Sequence, residues 1–377
     1  MKKETVDALY AMGKVFDVIV VDLNSIAHAS LYQPGLVTLK TFSETYQEKM
    51  LTGSIMGTVN TIGTLISAFP KALVIGLWDG HAKWRYDMLP TYKDGRRADP
   101  NSTDPKVRDK AEIQRQYKMQ APYLRMMLNS LGVTQVRVAN AEADDVCGLL
   151  VDSLKANHET LLVTSDTDWL QKLSPTTSWF RATTPENLIT WEQTQVDGVG
   201  LIVDKVSFDS PESYLACKAL AGDSSDAIYG VDGIGLATAY KYFKAFGSFE
   251  HMWAEFDAGR YTPKGVKASS VCTKDARDLY KRNFELMSFA FSRFDRFEEN
   301  CAITRTPCDR AEFDEICQTF EFTRLGAQFE KFQRNFEATA GLWQSVVWSC
   351  LNPPERPAVE ADAIEQTDDP EKAFADA

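Results

Sequence analysis

The chain has 377 residues, 44% of them apolar and 11% aromatic, and its 41 Lys and Arg stand against 53 Asp and Glu for a net charge of −12. Apolar content at this level excludes a wholly disordered chain, and the length suits two or three domains that each bury a core. No apolar stretch approaches the roughly 18 residues of a membrane-spanning helix, and the opening MKKETVDALYAMGK lacks the apolar segment of a signal peptide, so a cytoplasmic protein without membrane contact is expected.

The early part of the chain alternates short apolar runs with stretches long enough for crossover helices. Residues 16–21 (FDVIVV), 73–78 (LVIGLW), 133–138 (VTQVRV) and 160–164 (TLLVT) are continuous and β-rich, as strands buried on both faces are. This pattern predicts an α/β fold with a parallel sheet. From about residue 205 helical patterns dominate, punctuated by Gly230, Gly233 and Gly235. Residues 353–377 hold eight acids and two bases and read as a solvated acidic tail. The expected domains are 1–204, an α/β core with a basic segment at about 83–125; 205–300, a helical domain; 301–352, a helical segment; and the tail.

Three predicted strands end in acid: Asp22, Asp79, and Asp166 with Asp168. Glu142, Asp144 and Asp145 open the next helical pattern, and Asp223 and Asp226 stand in GDSSD. In open α/β sheets ligands sit beyond the carboxyl ends of the strands, so the first seven acids are expected to converge there. Read singly, several are helix caps or turn residues. Jointly, so many anions need compensation. The seven cysteines include no CxxC pair and the four histidines are dispersed, so the expected ligands are oxygens and the expected ions divalent and hard, Mg²⁺ with Mn²⁺ as an alternative. Two such ions roughly 3.5–4 Å apart suit phosphodiester hydrolysis.

Residues 83–125 carry eleven Lys and Arg against six acids, a local +5 in an acidic protein. Trp84, Tyr86 and Tyr92 are interleaved with these bases, as where rings stack on nucleobases and cations meet phosphates. Lys93 and Arg96, three apart, are expected on one helical face aimed at a phosphate, with Arg97 beside them. In the GVDGIG turn, Gly230, Gly233 and Gly235 let backbone N–H groups approach a phosphate, and Lys241 and Lys244 would add charge.

These motifs, VVDLNSIAHAS, LWDG, YKDGRR, AEADDVCGLL, TSDTDWLQ and GDSSDAIYGVDGIGLATA, stand in order over roughly residues 15–290, with KRNFELMSF at 281–289. The chain thereby resembles the 5′-nuclease family, which includes bacteriophage flap endonucleases, 5′–3′ exonucleases and the 5′-nuclease domain of bacterial DNA polymerase I; its length resembles the stand-alone, phage-type enzymes. The resemblance implies a PIN-like (Rossmann-like) core, a helical arch and a helix–three-turn–helix DNA-binding domain. It implies a first metal surrounded by Asp22, Asp79, Glu142, Asp144 and Asp145 and a second by Asp166, Asp168, Asp223 and Asp226, some acting through water. It further implies Lys93 and Arg96 as the arch's basic pair, Tyr92 as the aromatic that stacks near the reacting nucleotide, and a K⁺ ion at the hairpin in some members.

Two positions depart from the family pattern. Ala227 stands where the family commonly has Asn, and Leu236-Ala237 where Pro-Lys is usual, so the duplex grip is expected to be weaker or to come from Lys241 and Lys244. Residues 300–377 match nothing in the family, and Trp343 and Trp348 are expected to pack back on the core. The expected activity is metal-dependent cleavage of DNA bearing a 5′ flap, nick or free 5′ end, in a monomer that serves replication alongside other replication proteins. The alternative is a non-cleaving DNA-structure-binding protein of the same fold. A dehalogenase-type phosphatase needs an acid two residues after Asp22, where Asn24 stands, and an RNA-cleaving PIN relative is usually shorter and lacks the second domain.

The charge can be redistributed accordingly. The tail carries −6 and the nine site carboxylates −9, which leaves +3 on the rest of the chain. The acidic total therefore does not exclude a nucleic-acid partner.

Overall fold

A computed structural model describes residues 13–182, 188–196, 200–289 and 301–351, with side chains in the last helix as far as Val346. The acidic tail lies outside them. The described residues fall into two compact units, the first drawing on 13–82, 97–191 and 301–351 and the second on 83–96 and 192–289. This division departs from the expected boundaries. The basic segment is shared between units, because Lys83–Met88 and the turn after it bury their apolar side chains with Leu286 and Met287.

The first unit is built on a seven-stranded sheet in the order Cys301–Thr304, Thr134–Val138, Leu73–Trp78, Val18–Asp22, Thr160–Val163, Thr177–Phe180, Leu188–Ile189. The five central strands are parallel and both edges antiparallel. Val18–Asp22 and Leu73–Trp78 are buried along their whole length, as expected of strands covered by helices on both faces. Register sets the chemistry: Asp22 lies opposite Leu77 and Val21 opposite Val163, so Asp79 and residues 164–166 all leave the sheet at the same edge.

Residues 301–352, expected to be helical, open with the strand Cys301–Thr304, which pairs with Thr134–Val138. Its helices Arg310–Thr319 and Phe329–Ala338 then complete the main core, where Phe313, Phe329 and Phe332 join Ile62, Leu65 and Leu128. Asn335 clamps this addition by donating to the Pro70 and Ala72 carbonyls at 3.0 and 2.9 Å. Arg305 lies over the Phe336 and Trp343 rings at 4.5 and 5.4 Å, so Trp343 packs within this unit.

The second unit is helical. Pro211–Ala221 starts at Ser210, which exchanges hydrogen bonds with Ser213 in a capping box. Its chain then forms a short antiparallel pair, Gly222–Asp223 with Ile228–Tyr229. Leu236–Phe246, Phe249–Asp257, Val266–Val271 and Lys274–Met287 follow, packed around Phe249, Trp253 and Tyr280, whose rings meet edge-on. Buried Asn283, in the KRNFELMSF motif, donates to the Ala219 and Tyr229 carbonyls at 3.0 and 2.9 Å and so ties the last helix to both sides of the small pair.

Candidate active site

Each acid of the first unit is placed by a local feature. Asp22 caps Leu23–Ser30: one oxygen accepts from Ser25 N at 2.9 Å and the other from Thr164 Oγ1 at 2.8 Å. Asp79 accepts from the Asn24 amide and from Ala143 N at 2.9 Å, while the Tyr117 hydroxyl holds Asn24 at 2.9 Å. The glycine of LWDG serves this loop. Any Cβ at Gly80 would stand 1.8 Å from the Val138 carbonyl oxygen, so only glycine lets the chain run so close to residues 138–141. Glu142 caps Ala143–Leu154, with its N–H held by the Asp145 carboxylate at 3.0 Å; Trp169 Nε1 donates to Asp144 at 2.7 Å, and Asp166 caps the turn that follows by accepting from Asp168 N at 2.8 Å.

The electrostatics show that acids from different strand ends converge. Asp22 is 7% exposed. Burial and the nearby Asp79 and Asp166 charges push its carboxyl up to about 7, against the lowering effect of Ser25 and Thr164. Among the described residues neither Asp22 nor Asp79 has a Lys or Arg on its carboxylate. The Tyr117 hydroxyl is pushed well above its ordinary value by burial and the same two charges. Among the described residues no three Asp, Glu, His or Cys side chains are drawn into a finished metal cage. A hard divalent ion takes one or two carboxylates and keeps several waters, so it does not require a cage of three side chains. The oxygen-only donors and the uncompensated Asp22 and Asp79 suit such an ion.

The two acids of the second unit have a different setting. Asp223 pairs with Lys218 at 2.8 Å; burial alone would raise its carboxyl, but Lys218 and Ser225 outweigh it and hold the group below the usual range. Asp226 is buried, pairs with Arg96, and accepts from the Tyr92 hydroxyl at 3.3 Å, while its backbone carbonyl accepts from Lys93 N at 2.8 Å. Both therefore already hold cations.

Two expectations need correction here. Lys93 and Arg96 do not share a helical face: the segment after Met88 is a run of turns, with Lys93 in the left-handed region at φ 58°. Pro90 and Gly95 make a continuous helix there unfavourable. Tyr92 offers no face for stacking. It is 3% exposed and packs with Ile228, Leu286 and Met287, edge-on to Tyr86 at 5.4 Å. Arg97, Lys241 and Lys244 are exposed, and Gly230, Gly233 and Gly235 line an open cavity of about 490 Å³. Of the residues that hold the acids, Tyr117 and Lys218 carry no sequence signal of their own, while Asn24 lies inside VVDLNS and Thr164 and Trp169 inside TSDTDWLQ.

Residues 17–198 match the model of the 5′-3′ exonuclease N-terminal, resolvase-like domain. The 5′-3′ exonuclease of Streptomyces coelicolor is 29% identical over 195 residues, 49% of this chain and 59% of that protein. DNA polymerase I of Lactococcus lactis is 27% identical over 201 residues, 50% of this chain and 20% of that protein. The chain thus spans less than two thirds of either relative. The flap endonuclease of bacteriophage T5, solved as a pseudo-enzyme–product complex with DNA and metal ions, is 19% identical, with a TM-score of 0.55 over 81% of this chain and 99% of that one. That likeness is one of fold. It agrees with the parallel α/β sheet expected from the strand pattern.

Proposed function

We propose that this protein is a divalent-metal-dependent, structure-specific 5′ nuclease that hydrolyses DNA phosphodiesters near the junction of 5′ single strand and duplex, as flap endonuclease and 5′–3′ exonuclease in replication and repair. The observation that carries the reading is the convergence of Asp22, Asp79 and Asp166 from three strand ends, with Asp22 buried and its carboxyl raised by burial and by the other two. The match of residues 17–198 to the 5′-3′ exonuclease domain supports it, as do the names of the relatives and the DNA and metal ions bound by the bacteriophage T5 flap endonuclease.

Two Mg²⁺ ions at this edge would supply an activated water and neutralise the leaving 3′ oxygen. The chain's own residues do the rest. Ser25, Thr164, Asn24 and Trp169 each occupy one lone pair of Asp22, Asp79 or Asp144 and so fix the carboxylates in place. Lys93 and Arg96 supply positive charge for the pentacovalent state. Asp226 accepts from the Lys93 backbone N–H and pairs with the Arg96 side chain, so it positions both residues. Metal contact by Asp223 or Asp226 requires their pairs with Lys218 and Arg96 to open, so we assign the ions chiefly to the seven acids of the first unit. K⁺ at the 230–235 turn belongs to the same reading.

The test is product mapping on a 5′-flap, a nicked duplex and a blunt duplex, with Mg²⁺, Mn²⁺ or EDTA. Asp166→Asn is expected to lower cleavage at least about 100-fold while DNA is still bound. Cleavage that persists in EDTA, or an Asp166→Asn protein that cuts at the wild-type rate, would overturn the assignment.

A further inference from the structure

We infer that Lys267 binds a backbone phosphate of duplex DNA at the Gly230–Gly235 turn, supplying from a separate helix the basic side chain that the turn's own sequence lacks. The inference rests on the DNA reading above.

The turn and the two residues after it read GVDGIGLA, with Asp232 as their one charged side chain. A surface that holds phosphate needs net positive charge, so Asp232 has to be outweighed by neighbours. Lys241 and Lys244 lie on the helix Leu236–Phe246, five and eight residues past its start, which is roughly 8 and 12 Å along its axis. They suit phosphates further along a strand rather than one seated at the turn.

Lys267 is placed differently. Its Cε lies 3.9 Å from where a Cβ would stand on Gly233 and is the nearest atom to that point, so the aliphatic stem runs over the turn and the ammonium stands one bond beyond. The side chain is exposed, and among the described residues it has no carboxylate partner. The adjacent cavity of about 490 Å³ is lined by Ala221, Tyr229 and residues 230–235. Tyr229 is 69% exposed at its edge, and Val266, next to Lys267, is 87% exposed. Large apolar side chains left so open beside an unpaired lysine are what sugar edges and a phosphate would cover. Asn283, holding the Tyr229 carbonyl, keeps the turn in place before any ligand arrives.

The experiment uses the full chain, a labelled 5′-flap duplex, and Ca²⁺ in place of the catalytic ion for binding. Lys267→Ala is expected to raise Kd about eightfold at 0.1 M salt and to lower the salt slope by about one, the counterion release of a single phosphate contact. Lys267→Arg should restore both. In Mg²⁺ the loss should fall on KM rather than kcat, and Tm should stay at the wild-type value. Lys274→Ala, an exposed lysine already paired with Asp278, serves as the control for general charge and should shift Kd less than about twofold. A Lys267→Ala protein with wild-type Kd and salt slope would overturn this inference alone. Wild-type protein that binds the flap without cutting would overturn the nuclease reading and leave the Lys267 result standing, and protein that binds no DNA would overturn both.

Discussion

Replacing Asp22 by Asn should make the metal-free protein more stable while removing its activity. The wild-type carboxyl is raised from the usual 3.8 to about 7. The unfolded chain therefore releases this proton first as pH rises, so the metal-free fold loses stability between about pH 4 and 7 and stays at the lower level above. Roughly three pH units at about 1.4 kcal/mol each put the upper bound near 4 kcal/mol. Asn cannot accept from both Ser25 N and Thr164 as the carboxylate does, and that loss costs about 1 kcal/mol. The net gain at pH 8 is about 2–3 kcal/mol, or about 5–10 °C in Tm for a unit of this size. The assay is thermal unfolding of both proteins in EDTA from pH 5 to 9, repeated with Mg²⁺. At pH 5 the wild-type carboxyl is protonated and the advantage should vanish or reverse; with Mg²⁺ at pH 8 it should shrink, because the ion compensates the wild-type charge. An Asp22→Asn protein no more stable than wild type at pH 8 in EDTA, or equally advantaged at pH 5, would refute the reasoning.

Three further outcomes are expected. Gly230→Ala places a Cβ 2.1 Å from the Ala221 backbone, so the small pair must open; a loss of about 3 kcal/mol or more in urea unfolding is expected, and a change below about 1 kcal/mol would refute the close approach. Ala227 occupies the left-handed region at φ 55°, so Ala227→Gly should gain about 1 kcal/mol in the same measurement, and a loss would show that side-chain packing there outweighs backbone strain. Tyr117→Phe frees Asn24 and through it Asp79; flap cleavage should fall about tenfold with Tm nearly unchanged, and a wild-type rate would sink the relay.

The division between what was legible and what was not follows the range of the interactions. FDVIVV, LVIGLW and TLLVT are strands because nearly every residue in them is apolar or β-branched, a property each run carries by itself, and the acids that end them lie at one edge because parallel strands share a direction. The seven first-unit acids could therefore be placed at strand and helix ends from position alone. Asp223 and Asp226 could be named too, but not their partners: Lys218 and Arg96 are supplied by packing within the second unit, and they change what those carboxylates can hold. Tyr92 looked like a stacking surface because aromatic residues among bases read the same whether their faces are open or covered, and only packing against Ile228, Leu286 and Met287 decides. Cys301–Thr304 joins the sheet beside Thr134–Val138, more than 160 residues earlier, and Lys267 reaches the turn at Gly233 from another helix. Such pairings leave no periodic trace. Backbone bonding within an element, burial pattern and acid placement are local and written in order along the chain, whereas which charge meets which, and which ring is covered, is set by distant segments meeting once the cores close.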